Sequence, residues 1–320
     1  MKFRLGYVAM TLNLEDCSPS GTVTYTTYKM LSSEESRLYK LRKAADKNLQ
    51  NTLRILRYNK ALNISVYRLT SKLIPLATHP DMQWWRYIDD FSDSLQKIGE
   101  FIKENELRVS AHPDHYTLIN SPVDKVLQDS IRDLDYHVQL FEAMGLDNKY
   151  KLVLHVGGVY GNKQDSIKRF YHNFISLPDR IRKRLIIEND DKSYNTYEVL
   201  ELCQKLRVPM VLDVHHHNCI CREYDLGTVL PEIFSTWDQE YYPPKVHFSS
   251  PRSSKDFRSH ADLIDYNEFI SFLETAARVN MDFDIMLEAK YKDTALLKLS
   301  DELASTAGIV QLNNGEFVIQ

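Results

Sequence analysis

The chain has 320 residues, with 40 lysines and arginines against 44 aspartates and glutamates, and a formal net charge of −4 at pH 7. This near-neutral balance excludes bulk electrostatic attraction to nucleic acid, so any such binding requires a local basic patch. Hydrophobic residues make up 43% of the chain, which excludes disorder as its main state. No apolar run approaches the ~18 residues that a membrane span needs.

Short β-branched runs alternate along the chain with longer segments of helical period. The predicted strands are residues 3–8, 64–69, 107–111, 151–156, 184–188, 209–214, 245–249 and 283–288. Between them, residues 88–102 and 123–141 show the spacing of amphipathic helices. This alternation requires parallel strands with right-handed crossovers. It predicts a single α/β (β/α)8 TIM barrel, with its active site at the C-terminal ends of the strands.

Local signals mark where some of the helices begin and which of their residues face solvent. Ser32 with Glu35 three residues later predicts a capping box. Ser121 directly precedes a proline, which predicts an N-cap followed by proline at the first helical position. His137 and His172 fall within helical segments and are expected at the surface.

No linker or low-complexity tract divides the chain. We therefore predict one barrel domain over residues 1–303 and a loosely attached C-terminal tail over 304–320, with a turn at 313–315. The amino terminus meets Glu15 and Asp16 too early for a secretory signal and is predicted to be the first strand. Four cysteines are too few for a disulfide framework, which indicates a reducing cytoplasm.

Histidines and carboxylates stand at the ends of most predicted strands. They are His112, His155, Glu188, Asp213 with the triplet 215–217 after it, His247 and Glu288. Because the carboxyl ends of barrel strands converge on one face, these side chains are expected to meet in one pocket. Clustered buried carboxylates without a cation would repel one another, and His, Asp and Glu together are ligands of borderline-to-hard divalent metals. The pattern predicts a metal cluster.

Two loop histidines and one strand lysine extend this candidate site. His79 and His260 lie in loops on the same face, where each could equally be a ligand or an ordinary loop residue. Lys245 lies two residues before His247 and should also face inward. A desolvated ammonium there must be neutral, paired or modified. In the histidine triplet, strand alternation alone selects His215.

The strand-end motifs resemble those of the UV-damage endonucleases (UVDE) of bacterial type. The matching segments are LGY, LIPLATHP, SAHPDHY, LHVGG, IEND, LDVHH, KVHFSS and LEAK, in the family's order from about residue 3 to 292. The resemblance implies a TIM barrel related to endonuclease IV. It also implies an enzyme that nicks DNA immediately 5′ to cyclobutane pyrimidine dimers and 6-4 photoproducts by metal-assisted hydrolysis, leaving a 3′-hydroxyl and a 5′-phosphate.

The resemblance further implies two to three divalent ions, with Mn²⁺ favoured over Mg²⁺, Co²⁺ or Zn²⁺. The implied ligands are Glu188 as a bridge; Asp213, His247 and Glu288 for one ion; His112 and His155 for a second, with His79 beside it; and His216 and His260 for a third. The family places its histidine three residues after the aspartate, which selects His216 over His215. Glu188 and Lys245 are the implied catalytic residues, with Lys245 carboxylated. The alternative is a lysine paired with a carboxylate lower in the barrel.

The implied partner is double-stranded DNA carrying UV lesions. Residues expected to contact the DNA or the lesion are Tyr7, His115, Tyr116, Arg252, Lys255 and Arg258. His115 stands where the family usually has glutamine, and Thr11 where it often has asparagine. We expect a cytoplasmic monomer that associates with the nucleoid during repair, without a membrane or an obligate protein partner.

Three other functions fit the residue pattern. A metal-dependent sugar isomerase uses a comparable barrel and similar ligands on a small substrate. A non-catalytic damage sensor would keep the metals for structure alone, and an abasic-site endonuclease would cut without a preference for photoproducts.

Overall fold

Eight parallel strands close into a barrel in the computed structural model, which describes residues 1–223 and 225–320. The strands are β1 (Lys2–Val8), β2 (Val66–Leu69), β3 (Arg108–Ala111), β4 (Leu152–His155), β5 (Leu185–Glu188), β6 (Met210–Asp213), β7 (Lys245–Phe248) and β8 (Phe283–Leu287). β1 pairs in parallel with both β8 and β2, which closes the ring. The TIM-barrel prediction is confirmed, and each predicted strand is present with its ends shifted by at most two residues.

Helices surround the barrel and connect its strands. They are α1 (Tyr25–Met30), α2 (Glu34–Ala61), α3 (Tyr87–Asp90), α4 (Ser92–Glu104), α5 (Asp124–Ala143), α6 (Lys163–Ser176), α7 (Asp179–Arg182), α8 (Thr196–Leu206), α9 (Val214–Ile220), α10 (Leu226–Ser235), α11 (Tyr266–Ala277) and α12 (Lys292–Ala304). A short 3-10 helix covers Pro80–Met82. Leu95, Ile98 and Ile102 of α4 are buried, as their spacing predicts. No helix in the described ranges is both long and apolar enough to cross a membrane.

Several local predictions about the helices were wrong. Residues 88–102 form two helices, α3 and α4, which are interrupted at Phe91. The capping box of α2 joins Ser33 and Ser36, one residue beyond the predicted pair. α5 begins after Val123, and Ser121 accepts a hydrogen bond from the Val123 N–H.

His137 is buried rather than exposed, because it lies on the side of α5 that packs inward with Leu134 and Phe141. The expectation for His172 is confirmed, since that residue is exposed on α6. The four cysteines are free thiols, in agreement with the absence of a predicted disulfide framework.

Charged residues fill the amino-terminal end of the barrel interior. Arg4 donates two hydrogen bonds to Asp284, at 2.7 and 2.6 Å, and Arg108 donates a third to the same carboxylate at 2.5 Å. Above them, Lys245 Nζ donates to Ser110 Oγ at 2.8 Å. A buried charge survives only when it is paired, so Asp284 is required by both arginines. These paired charges form the floor of the barrel, at the end opposite the carboxyl ends of the strands.

The last residues form a hairpin of two strands, β9 (Ile309–Asn313) and β10 (Glu316–Ile319). β10 pairs antiparallel with Lys2–Arg4 of β1, and β2 pairs with β1 only from Gly6 onward. Phe317 is fully buried and stacks on Phe3 at 5.2 Å between ring centroids. The prediction of a loose tail was wrong, because the hairpin covers a strand edge that would otherwise be open. The predicted turn at 313–315 is confirmed.

Candidate metal centre

The carboxyl ends of the strands bring six of the predicted residues into two adjoining groups. The first is His112, His155 and Glu188, and the second is Glu188, Asp213, His247 and Glu288. In each group, one potential ligand atom per residue lies within 4.8 Å of every other. Glu188 belongs to both groups, which is the arrangement expected of a bridging carboxylate.

The carboxylate of Glu188 is buried at the centre of the cluster, and its two oxygens face different histidines. Oε2 lies 3.2 Å from Nε2 of His112 and 3.7 Å from Nε2 of His155. Oε1 lies 3.0 Å from Nδ1 of His247 and 3.6 Å from Nδ1 of His216. Burial by itself would raise the pKa of this carboxyl, but the surrounding imidazoles hold it well below its usual value. Glu188 is therefore ionised at neutral pH.

Burial and neighbouring charges shift the pKa values of the other groups in different directions. Burial lowers the pKa of His155 to about 4, which leaves a neutral imidazole able to bind a metal. Burial raises the pKa of Asp213 to about 6. Burial would lower the pKa of His216, but the carboxylates of Asp213 and Glu188 raise it to about 9. In the metal-free protein His216 therefore holds a proton that a cation would displace.

Three buried polar atoms of the cluster have no hydrogen-bond partner among the described residues. They are Nδ1 of His155, Oδ2 of Asp213 and Nε2 of His247. Buried polar atoms in folded proteins are nearly always partnered, and a bound ion is one standard explanation for an exception. The donor set of imidazoles and carboxylates suits divalent metals such as Mn²⁺ or Zn²⁺. These residues therefore fit a bound metal cluster.

The start of α9 decides which histidine of the triplet joins the site. β6 ends at Asp213, whose side chain caps α9 by accepting a hydrogen bond from the His216 N–H at 2.7 Å. Helical geometry then returns His216 to the side of Asp213, with its Nδ1 3.7 Å from the carboxylate. His215 instead faces Cys219, Phe257 and the Arg258 carbonyl. Strand alternation fails here because the strand has already ended.

The two loop histidines lie outside both groups. The ring of His260 is 6.3 Å from that of His216, and its Nδ1 is 2.9 Å from the Glu288 carbonyl oxygen. His79 stacks on Tyr25 at 3.8 Å between centroids, and its Nδ1 accepts a hydrogen bond from the Asp81 N–H. The structure thus places His260 at the rim of the cluster, while His79 belongs to a neighbouring loop contact.

Lys245 faces the barrel interior as predicted. Burial lowers the pKa of its amine well below the usual value, and repulsion from Arg108 adds to this effect. Among the described residues it forms no salt bridge, since the nearest lower carboxylate, Asp284, is already shared by two arginines. Its hydrogen-bond partner is Ser110. Its environment therefore favours the uncharged form of the amine.

Sequence reasoning missed two residues of the site. Arg68 of β2 donates a hydrogen bond from Nη1 to Oε1 of Glu288. Asn189 exchanges two hydrogen bonds with the backbone of Asp213, at 2.8 and 2.9 Å, and so fixes the end of β6. A single charged residue within the predicted strand 64–69 was the available signal for Arg68.

The predicted DNA-contacting residues occupy different environments. Tyr7 is fully buried and donates a hydrogen bond to Asn59 at 2.6 Å, so its predicted contact with DNA was wrong. Its position within β1, in the wall of the barrel, leaves it without exposed surface. Tyr116 is 50% exposed in the loop after β3, beside His115. Lys255 is exposed in the loop after β7.

The other two basic residues of that loop are also exposed, and both are paired. Arg252 bonds Asp256 and Arg258 bonds Asp191, at 2.8 and 2.7 Å. Both arginines lie at the rim of the barrel mouth, where a phosphate would have to compete with those carboxylates.

A cleft of about 340 Å³ leads from the cluster to the surface. Its lining includes His112, His115, His155, His216, Arg258 and His260. A larger cavity of about 720 Å³ lies at the amino-terminal end of the barrel, beside Arg4 and Asp284. Active sites of such barrels lie at the carboxyl end of the strands, and the candidate ligands are there. The smaller cleft is therefore the candidate active site.

Fold and cluster together define a (β/α)8 barrel with a candidate divalent-metal centre at its carboxyl-terminal mouth. Comparison with known proteins assigns the family. The family model described as UV-endonuclease UvdE matches residues 3–318, and this chain belongs to that family.

Relatives agree with this assignment in both sequence and structure. The chain is 45% identical over 313 residues to the UV DNA damage endonuclease of Bacillus cereus (strain G9842), covering 98% of each. It superposes on the crystal structure of SacUVDE with a TM-score of 0.83 and 33% identity, covering 94% of this chain and 98% of that one. Endonuclease IV from Thermus thermophilus shares the fold, with a TM-score of 0.56, 15% identity and 80% and 95% of the two chains covered.

Proposed function

We propose that this protein is a DNA-repair endonuclease that nicks double-stranded DNA immediately 5′ to cyclobutane pyrimidine dimers and 6-4 photoproducts. The reaction is metal-assisted hydrolysis of a phosphodiester, which leaves a 3′-hydroxyl and a 5′-phosphate. The observation that carries the proposal is Glu188, one buried carboxylate shared by two groups of candidate ligands. Membership of the UvdE family favours damaged DNA over the sugar substrate of an isomerase.

Two to three divalent ions, Mn²⁺ first among them, are the proposed cofactors. The residues proposed to hold them are His112, His155, Glu188, Asp213, His216, His247, His260 and Glu288, whereas His79, which stacks on Tyr25, is not among them. Such ions supply Lewis-acid stabilisation of phosphate oxygens and a strong nucleophile at neutral pH. The protein contributes the buried anion Glu188, the partly exposed anion Glu288 and the neutral imidazole of His155.

Lys245 is proposed as a carboxylated, anionic residue of this centre. Only the neutral amine can attack carbon dioxide, forming an N–C bond and releasing one proton to solvent. Burial together with Arg108 lowers the pKa of the amine and so favours that neutral form. The product would be an anion between the charged floor and the cluster, and the positive charges of Arg108 and Arg4 below it would stabilise it.

The loop after β3 is proposed to probe the damaged duplex with His115 and Tyr116. Thr117 Oγ1 donates to the buried Asp133 at 2.5 Å, and Ser130 Oγ accepts from the Leu118 N–H at 2.8 Å. These two bonds tie the loop to α5 directly behind the exposed side chains. Photoproducts stack poorly, so extruding them from the duplex costs less free energy than extruding normal bases. A loop fixed in place therefore inserts preferentially at the damaged site.

Basic residues of the loop after β7 are the proposed phosphate contacts, namely Arg252, Lys255 and Arg258. We further propose that the protein acts as a monomer in the cytoplasm and associates with the nucleoid during repair. No obligate protein partner or membrane is required for the proposed reaction.

The test uses duplexes that carry one cyclobutane dimer, one 6-4 photoproduct, one abasic site or no lesion. With Mn²⁺, we expect a single nick directly 5′ to each photoproduct, mapped by end-labelling, and its loss in EDTA. Cutting of the abasic duplex without a preference for the photoproduct duplexes would instead identify an abasic-site endonuclease. Lesion binding without cleavage by the metal-loaded wild-type protein would identify a sensor and refute the enzyme.

A further inference from the structure

A pair of partly enclosed cations, Arg68 and Lys292, flanks the cluster beside Glu288. Arg68 comes from the end of β2, and Lys292 opens α12 directly after β8. β1 lies between β8 and β2 in the sheet, so both cations approach the same sector of the barrel mouth. The nearest carboxylate is Glu288, which Arg68 contacts through Nη1.

The guanidinium of Arg68 is largely buried and mostly unbonded. Its side chain is only 14% exposed, yet within the described parts of the chain its one hydrogen bond goes to Glu288. A guanidinium has five N–H donors in a fork that matches the oxygens of a phosphate. The remaining donors of Arg68 have no acceptor among the described residues and keep some access to solvent at the barrel mouth, so they are available to an incoming anion.

Lys292 is held toward the same place by an unusual backbone. Its φ is +49°, a left-handed conformation that is uncommon for a residue with a side chain and that clusters at functional sites. The next residue, Asp293, is fully buried and accepts hydrogen bonds from the Leu12 N–H and from Asn13 at 2.7 and 2.8 Å. The position of Lys292 is thus imposed by its neighbours. Burial lowers the pKa of its amine, and Arg68 lowers it further by repulsion.

The charges in this sector do not balance once Glu288 binds a cation. Glu288 also lies 3.2 Å from Nδ1 of His247 and belongs to the second candidate ligand group. A carboxylate committed to a divalent ion is a weaker partner for two further cations. Two like charges kept together in a poorly solvated site call for another anion, and the anion delivered to this mouth by DNA is a phosphodiester.

We propose that Arg68 and Lys292 form a clamp for the non-bridging oxygens of the phosphodiester to be cut, and that Arg68 stabilises the charge developing there. This inference rests on the proposed function. In the reaction, a water oxygen bonds to phosphorus and the P–O3′ bond breaks. One proton of that water ends on the leaving 3′ oxygen. Arg68 and Lys292 exchange no proton; they bind the phosphoryl oxygens more tightly as negative charge accumulates on them.

The experiment compares R68M, R68K and K292M with R57M, whose arginine is exposed on the outer side of α2. On a single-dimer duplex with saturating Mn²⁺, R68M should lower kcat by roughly 10²- to 10³-fold, the usual cost of losing one such donor. K292M should chiefly raise KM. R68K should recover part of kcat, because it restores the charge without the bidentate fork.

A second readout excludes metal and turnover altogether. Binding of the same duplex is titrated against KCl in EDTA, and the slope of log K against log salt counts phosphate contacts. R68M and K292M should each reduce that slope by about 1, whereas R68K and R57M should not. Should R68M fail to fold, K292M and R68K carry the same comparison.

Two results would overturn the clamp. In the first, excess Mn²⁺ restores the kcat of R68M, which would show that Arg68 merely positions Glu288 for the metal. In the second, R68M and K292M match R57M in kcat, KM and salt slope. If instead the wild-type protein fails to nick irradiated DNA while both slopes fall, the proposed function is lost and the phosphate site stands.

Discussion

Replacement of Glu188 by glutamine tests the shared carboxylate most directly. The amide keeps the shape of the side chain but removes the anion that faces both groups of candidate ligands. Because its oxygens lie 3.0 to 3.7 Å from four different histidines, no neighbouring carboxylate can take its place. We therefore expect E188Q to lose metal binding in both groups rather than in one.

The expected magnitude follows from linkage between binding and folding. At a free Mn²⁺ concentration about 100 times its Kd, one bound ion stabilises the native state by about 2.7 kcal/mol. Unfolding entropy of about 2.1 cal/mol/K per residue gives about 0.7 kcal/mol/K for a chain of 320 residues. Each bound Mn²⁺ should therefore raise the Tm of the wild-type protein by about 4 °C over its value in EDTA. For E188Q, the rise should be close to zero.

Scanning calorimetry with and without EDTA measures this difference, and nicking of irradiated plasmid is recorded on the same samples. The matched control is Glu274→Gln, since Glu274 is exposed on α11, away from the cluster. It should retain the full Mn²⁺ shift and full activity. A shift of about 4 °C retained by E188Q, with undiminished nicking, would refute the assignment of Glu188 as the bridge.

Three other predictions concern the framework of the site. Burial raises the pKa of Asp133 to about 6, so the native state holds this proton longer than the unfolded chain does. As the pH rises from about 3 to about 7, stability should therefore fall by about 3 kcal/mol in all, and D133N should abolish that fall in urea titrations. D284N strands Arg108 as an uncompensated buried charge and should cost about 3–5 kcal/mol in thermal unfolding, which an unchanged Tm would disprove. F317A removes the aromatic contact with Phe3 and should cost about 3–5 kcal/mol and speed hydrogen exchange in β10; wild-type exchange would contradict the packing described.

Much of the fold followed from local patterns. Short apolar runs separated by amphipathic segments were sufficient for eight strands and a closed barrel, because burial on both faces of a parallel strand leaves a continuous apolar signature. Once the barrel was assumed, His112, Glu188 and Glu288 could be placed together although the chain separates them widely. Convergence of strand ends is a property of the topology and requires no knowledge of side-chain contacts.

Other features depended on contacts that no local pattern encodes. The choice between His215 and His216 turned on where β6 ends and α9 begins, which Asp213 sets by capping the helix. Tyr7 was expected at the DNA, yet the packing of α2 against β1 covers it and supplies Asn59 as its partner.

Sequence by itself determined the order of the elements, the barrel and the identity of the residues at its mouth, because periodicity and strand polarity act within one element at a time. Tertiary structure alone decided that the final hairpin completes the edge of β1, that the ring of His79 stacks on Tyr25, and that Arg68 reaches Glu288. Each of these depends on segments distant in the chain, whose relative placement is settled only when the whole barrel closes and its charges and edges find partners.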